Sequence, residues 1–179
     1  MIFEDDLITL TWGIRLDQAQ EHKAIKILDQ IRENQLLTNH STNFPYIHLF
    51  EASVPSQYQS EIDEMFKKTV HLEDSFTTEW GEVEVTRNEI ILWTEVNESL
   101  QKLQLIITSN VNNLNLGNPF ASDLKPFVSL CKSSLPLDLN KIDIEWPFHN
   151  FHVREIFIAN REDDKTLTIR HQSTLQESK

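Results

Sequence analysis

Polar and hydrophobic positions alternate along several short stretches of this chain, and elsewhere the hydrophobic positions recur every three or four residues. Residues 7–16 alternate well enough to form a strand. The apolar residues that follow recur at helical spacing, which predicts a helix over about residues 18–34. Asp17 is placed to cap that helix, with Gln20 three residues on as the candidate partner in a capping box. The first elements are therefore a predicted strand and a predicted helix.

Two more helices and several strands are predicted downstream. The second helix begins at Pro55–Ser56, and the third follows Asn97, which is placed to cap it. Two or three strands lie within residues 75–96. Residues 151–159 alternate strongly, and residues 165–170 are the predicted hairpin partner of that strand.

The domain organisation is predicted to be simple. A chain of 179 residues suits one domain with a sizeable core, and no stretch of linker composition divides it. We therefore predict a single α+β domain over residues 1–172 with antiparallel sheets. Residues 173–179 are polar and are predicted to form a flexible tail.

One strand pattern occurs twice. Residues 45–55 and 126–136 match at a constant offset of 81 positions, with Pro, Leu, Ser and Pro identical. In both copies, alternation turns one set of residues toward the core, namely Ile47, Leu49, Val128 and Leu130. The other set projects from the opposite face, namely Tyr46, His48, Phe127 and Ser129. If the two copies belong to two similar lobes, these four side chains meet in one cleft.

Composition narrows the range of functions. The net charge is −12, from 28 acidic and 16 basic residues, which works against broad binding of nucleic acid but is compatible with a nucleotide in one basic cleft. Cys131 is the single cysteine, so neither an intrachain disulfide nor a cysteine metal cluster can form. We predict no metal site and no cofactor. The acidic N-terminal residues and the lack of a long apolar run predict a cytoplasmic protein without membrane contact.

The order of these elements resembles that of the two-histidine (2H) phosphoesterase superfamily, which includes the 2′-5′ RNA ligase-like proteins and the cyclic phosphodiesterases. The family signature is a pair of strands reading His-x-Thr/Ser, which correspond here to residues 45–50 and 126–130. The opening strand and helix and the final hairpin also fit, so the resemblance covers most of residues 7–172. It implies a bilobal, duplicated α+β fold with two antiparallel sheets around a central cleft and helices packed outside.

The catalytic positions depart from the family pattern. The resemblance implies that each signature histidine transfers a proton at a 2′,3′-cyclic phosphate or a related phosphodiester. Here the two positions hold Tyr46 and Phe127. A phenol, with a reference pKa of about 10, is a poor base at neutral pH, and a phenyl ring transfers no proton. Ser129 matches the family's hydroxyl position, while His48 stands in place of the first Thr or Ser.

His48 and Ser129 remain the candidate catalytic residues of a rearranged site. His48 lies one strand step, about 6–7 Å, from the family's catalytic position, which is farther than acid–base catalysis tolerates. A partly buried histidine bonded to the backbone or to Ser129 is the ordinary alternative. The candidate binding residues are aromatic or basic, namely Tyr46, Phe127, Lys125 and Arg154, the last two to neutralise a phosphate.

Three functions fit these residues. The first is a divergent 2H-like protein that binds a nucleotide or an RNA end and lacks ordinary phosphodiesterase activity. The second is an active phosphoesterase built around His48 and Ser129. The third is a non-catalytic interaction module that binds a protein partner. An open, positive cleft favours a ligand, whereas a closed apolar cleft excludes both ligand-based functions.

Overall fold

A computed structural model describes residues 7–34, 44–114, 125–133, 136–138, 143–163 and 166–177. The described helices are α1 (Gln18–Asn34), α2 (Gln59–Leu72) and α3 (Glu98–Asn112), with a 3-10 turn at Ser56–Tyr58 before α2. The described strands are β1 (Leu7–Arg15), β2 (Tyr46–Pro55), β3 (Phe76–Val85), β4 (Glu89–Thr94), β5 (Phe127–Lys132), β6 (Asn150–Val153), β7 (Glu155–Arg161) and β8 (Leu167–Thr174). The predicted α+β class is confirmed.

The described strands form one antiparallel sheet in the order β6-β3-β4-β5-β2-β1-β7-β8. The resemblance to the 2H superfamily implied two sheets. The described strands form one sheet instead, because β2 and β5 pair directly at its centre through His48 and Phe127. Four strands lie on either side of that junction. Only Arg154 separates β6 from β7, although these strands lie near opposite ends of the strand order. The sheet must therefore curl to bring its two ends together.

Side-chain caps begin two of the helices as the sequence predicted. The backbone N–H of Gln20 donates to the Asp17 carboxylate at 2.9 Å, and that of Leu100 donates to the Asn97 side chain at 2.9 Å. The predicted capping box at α1 is wrong, because the Gln20 side-chain oxygen accepts no hydrogen bond from the described residues, while its amide nitrogen donates to the carbonyl of Asn150 at 3.1 Å. Gln20 thus ties the start of α1 to β6.

The core lies between the helices and one face of the sheet. The inward residues of the central strands, among them Ile47, Leu49 and Val128, are fully or almost fully buried there with Ile27 of α1 and Leu103 of α3. Within the described ranges, none of the helices combines the length and apolar character needed to span a membrane.

Two element predictions need correction. The strand predicted at 151–159 is broken at Arg154, because residues before it pair with β3 and residues after it pair with β1 and β8. The tail predicted from residue 173 is part of the folded structure up to residue 176: β8 continues to Thr174, Leu175 is 2% exposed, and Gln176 forms a bridge with Asp74. Leu175 is the one apolar residue in an otherwise polar stretch, and its burial holds that stretch against the core. Residues 178–179 lie outside the described residues.

Candidate functional site

The four side chains predicted to share a cleft do so. Tyr46 and His48 of β2 and Phe127 and Ser129 of β5 line one cavity of about 210 Å³ on the sheet face that points away from the helices. Their neighbours Ile47, Leu49, Val128 and Leu130 are buried in the core, as the alternation predicted. The register of both repeat strands is therefore confirmed.

A β-bulge in β2 turns an additional residue into the cleft. Gly13 of β1 pairs with His48, and the next residue back, Trp12, pairs with Phe50, so Leu49 is the extra residue of β2. Leu49 and Phe50 are consecutive and both are buried. After this break in the alternation, Glu51 faces the cleft instead of the core.

A bulge at the equivalent place in β5 has the same effect. Ile91 of β4 pairs with Ser129, and Ile90 pairs with Cys131, so Leu130 is the extra residue. Leu130 and Cys131 are both buried, and the next residue, Lys132, lines the cleft. The two copies of the repeat therefore place residues of opposite charge, Glu51 and Lys132, at matching positions.

Aromatic rings form a continuous row whose middle members, Tyr46, His48 and Phe127, line the cleft; Phe157, at one end of the row, is fully buried, and Trp93 lies at the other end. Going from β7 to β4, the centroid distances are 5.3 Å for Phe157–Tyr46, 6.3 Å for Tyr46–His48, 5.4 Å for His48–Phe127 and 5.5 Å for Phe127–Trp93. Gly13 makes room for this row, because a Cβ there would lie 2.5 Å from the Phe157 ring and 2.7 Å from the Tyr46 ring. Such rings offer flat apolar surfaces for stacking.

Four ionisable side chains stand around the row. Arg161, the last residue of β7, forms an ion pair with Glu51. The Thr11 hydroxyl donates to the same carboxylate at 3.2 Å, and the Ser129 hydroxyl donates to Glu89 at 3.0 Å. Within the described part of the chain, Lys132 forms no ion pair, so its ammonium is the cation that the cleft leaves available to an anion.

Burial controls titration in the cleft. It raises the pKa of Tyr46 to about 12, partly offset by Arg161, so this phenol stays protonated at neutral pH. Burial also lowers the pKa of His48. The Glu51 carboxylate acts in the opposite direction on the pKa of His48, and Arg161 acts in the same direction as burial. At neutral pH the site therefore holds a neutral imidazole beside a neutral phenol.

The two basic residues predicted for phosphate binding are not among the cleft-lining residues. Lys125 precedes β5 and pairs with Glu95 at 3.4 Å, and Arg154 is exposed at the junction of β6 and β7. Lys132 and Arg161 take their place. Consecutive apolar residues followed by a charge, as in residues 49–51 and 130–132, were the sequence signal for the bulges. No comparable signal marked Arg161.

Metal binding has no support in the described part of the chain. No group of three or more His, Cys, Asp or Glu side chains in those ranges is arranged to hold a metal ion.

Comparison with known proteins identifies the fold. No protein-family profile matches the sequence, and a search of curated proteins finds no match. Among solved structures, protein TT0787 of Thermus thermophilus has a TM-score of 0.75 at 13% identity, covering 96% of this chain and 100% of that one. Escherichia coli LigT complexed with 3′-AMP has a TM-score of 0.67 at 11% identity, covering 96% and 99%.

Further structures extend this likeness. The PDE domain of MHV ns2 has a TM-score of 0.50 at 11% identity, covering 82% of this chain and 97% of that domain. LigT has also been solved with phosphate, NADP+ and ATP. The resemblance to the 2H phosphoesterases is thus confirmed at the level of the fold.

Proposed function

We propose that this chain, which has the fold of the 2H phosphoesterases, binds a nucleotide or an RNA end in its cleft and does not hydrolyse ordinary cyclic phosphodiesters. The observation that carries the proposal is one cleft that joins a row of aromatic rings to two cations, Lys132 and Arg161, without a pair of titrating groups at the catalytic positions. The fold forms the cleft, and these side chains are suited to binding a nucleotide and not to acid–base catalysis.

Hydrolysis of a cyclic phosphodiester needs a base on the attacking oxygen and an acid on the leaving oxygen. Tyr46 holds its proton too tightly to act as a base near neutral pH, and Phe127 has none to exchange. His48 is a single neutral imidazole, and Phe127, across the cleft from it, has no group that could act as the second acid or base. Because each general acid or base contributes about 10²–10⁴-fold in rate, losing both removes ordinary turnover.

The cleft offers separate places for the parts of a nucleotide. A base stacks on the exposed parts of Phe127 and Trp93, an interaction worth about 1–3 kcal/mol. Its phosphate lies against Lys132, which forms no ion pair with any residue that the structure describes, and Arg161 can share its several N–H donors between Glu51 and the ligand. The ligands named in the LigT structures, 3′-AMP, ATP and NADP+, support a nucleotide as the class of ligand.

The net charge of the chain favours a short ligand. With a charge of −12, the protein repels a long polyanion, whereas one phosphate can contact the Lys132 ammonium in a cleft whose lining balances two cations against the carboxylates of Glu51 and Glu89. A mononucleotide or the end of an RNA therefore fits better than a continuous nucleic-acid strand.

Titration with 3′-AMP tests this proposal. We expect saturable binding by calorimetry, with a change in Trp93 fluorescence as the base stacks beside it. Lys132→Ala weakens binding about tenfold, the loss typical of one charge-assisted contact. The matched control is Lys125→Ala, because Lys125 pairs with Glu95 and does not line the cleft. We expect this substitution to leave the affinity for 3′-AMP unchanged. Absence of binding at millimolar 3′-AMP, or an equal effect of the two variants, contradicts the proposal.

The rearranged phosphoesterase is the second candidate. It is favoured by one observation: the lowered pKa of His48 leaves its imidazole unprotonated at neutral pH and so available to accept a proton, although as a weaker base than an exposed imidazole. Incubation with 2′,3′-cyclic AMP separates the two functions. Turnover that disappears in His48→Ala establishes the enzyme, and its absence alongside 3′-AMP binding supports the binding protein.

An interaction module is the third function considered. A cleft packed shut by its aromatic rings would favour it, but the described residues leave the cleft open, with Tyr46, His48 and Phe127 only partly buried. A protein partner therefore has less support than a small ligand. A cytoplasmic location stays a prediction.

A further inference from the structure

One of the two cations in the cleft is already held by a carboxylate of the same cleft. Arg161 and Glu51 form an ion pair, and their side chains are only 32% and 33% exposed, so water screens the pair less than it screens a surface pair. Lys132 forms no ion pair with any residue that the structure describes. A phosphate can therefore contact Lys132 directly, whereas at Arg161 it competes with Glu51.

We infer that Glu51, by holding Arg161, limits the cleft to nucleotides and RNA ends that carry a single phosphate and disfavours nucleotides that carry two. This inference rests on the proposed function, because it concerns the ligand of the same cleft. It adds to that function the residue that distinguishes between two classes of nucleotide.

Glu51 is fixed in the cleft by two strands besides its own. The bulge in β2 turns its side chain into the cleft, where Arg161 of β7 pairs with it. The hydroxyl of Thr11 on β1, which is fully buried, donates to the same carboxylate at 3.2 Å. A ligand that displaced Glu51 would leave this buried hydroxyl without its acceptor, which is unfavourable. The negative charge of Glu51 therefore stays beside Arg161.

The charges that line the cleft balance. Glu51 and Glu89 oppose Lys132 and Arg161, and burial lowers the pKa of His48, so the lining carries no net charge at neutral pH. A phosphate monoester carries a charge of about −1.5 to −2 at pH 7. The first phosphate can use Lys132. A second phosphate adds the same charge again, and the other cation of the lining is already paired.

The influence of Glu51 extends over the middle of the aromatic row. Its charge and that of Arg161 both affect the pKa of Tyr46 and the pKa of His48, in opposite directions. A nucleotide stacked along the row is therefore exposed to the carboxylate wherever a second phosphate points into the cleft. Placing like charges side by side in a partly desolvated site disfavours such a ligand.

Two ligands that differ only in their number of phosphates test the inference, namely 3′-AMP and adenosine 3′,5′-bisphosphate. By calorimetry at neutral pH and constant ionic strength, we expect the parent chain to bind the bisphosphate no more tightly than 3′-AMP. Glu51→Gln removes the charge but keeps an oxygen that can accept from Thr11. In this variant the bisphosphate should bind at least about tenfold more tightly than 3′-AMP, the gain typical of one charge-assisted contact.

Two further variants assign the gain to the ion pair. Glu64→Gln is the matched control, because it also removes one carboxylate from an ion pair, with Lys67 on α2, and does not line the cleft. It should leave both affinities unchanged. Combining Glu51→Gln with Arg161→Gln should abolish the tenfold gain, since no guanidinium remains for the second phosphate to contact.

The outcomes separate this inference from the proposed function. The inference is overturned, and the proposed function stands, if the parent chain binds 3′-AMP but binds the bisphosphate at least about tenfold more tightly. The same holds if Glu51→Gln changes both affinities equally, or if Glu64→Gln produces the same gain. If neither ligand binds the parent chain or Glu51→Gln, both proposals are overturned. The comparison in the parent chain needs no variant, so it decides the matter even if Glu51→Gln fails to fold.

Discussion

At the scale of single residues, Tyr46 and Phe127, the two residues that the sequence analysis matched to the 2H signature histidines, are packed differently. Tyr46 lies in an aromatic cluster with Phe44 and Phe157, at centroid distances of 5.8 and 5.3 Å. Phe127 lies between His48 and Trp93 along the more open part of the row. The two aromatic replacements therefore differ in structural cost.

Restoring the signature residues one at a time should show this difference. We expect Phe127→His to lower the free energy of unfolding by about 1 kcal/mol, since the smaller ring can be solvated in the open cleft. Tyr46→His should cost about 2–3 kcal/mol, because it loses ring contacts worth about 0.5–1.5 kcal/mol each and buries a polar ring. Urea denaturation measures both changes, and equal costs would show that the two positions are packed alike.

At the scale of elements, the contact between α2 and β8 depends on ionised Asp63. Its carboxylate forms an ion pair with Arg170 and contacts the imidazole of His171, both on the edge strand β8. This places one helix across the free edge of the sheet, where an unpaired strand is otherwise open to association with other chains. The contribution of this contact to stability therefore depends on pH.

The lowered pKa of Asp63 sets the sign of that dependence. A carboxyl whose pKa is lower in the folded state stabilises the fold at any pH above its unfolded value, near 3.9, and this contribution disappears as pH falls through the folded value. We expect Asp63→Asn to be less stable than the parent chain at pH 7. The difference should shrink below about pH 4 as the parent protonates. Thermal unfolding between about pH 2.5 and 7 measures it, and a difference that stays constant across this range contradicts the assignment.

At the scale of the whole molecule, the curled sheet brings its two ends together near the last described residues. The carbonyl of Arg154, between β6 and β7, accepts from the N–H of Leu175 at 2.7 Å. The carbonyl of Gln176 accepts from the N–H of Ser75 at 2.6 Å, just before β3. Residues 175–176 therefore join the end of β8 to the β3 and β6 end of the sheet.

Leu175 is expected to contribute strongly to global stability. We expect Leu175→Ala to lower the free energy of unfolding by about 2–5 kcal/mol, because it leaves a cavity at the point where the ends of the sheet meet. Ile169→Ala is the control on the same segment, since Ile169 is 36% exposed and its loss should cost less than about 1 kcal/mol. Similar effects of the two substitutions in urea denaturation would show that the terminal contact is not important to the fold.

The sequence by itself determined those features that depend on neighbouring residues. Strand alternation and the repeated pattern predicted that Tyr46, His48, Phe127 and Ser129 share one face, because successive side chains of a strand point to opposite sides. Caps were predictable for the same reason, since a cap acts within three residues of its helix, as at Asn97. The residue types at positions 46 and 127, a phenol and a phenyl ring, were also read directly from the sequence.

Tertiary structure decided the features that depend on pairing between distant segments. The bulges that turn Glu51 and Lys132 into the cleft are visible only when β2 is matched to β1 and β5 to β4. Arg161 reaches Glu51 across 110 positions of sequence, so local patterns say nothing about their contact. The same holds for Leu175, whose burial depends on the curl of the sheet. Local sequence set the direction of each side chain, and long-range strand pairing set which charges surround the cleft.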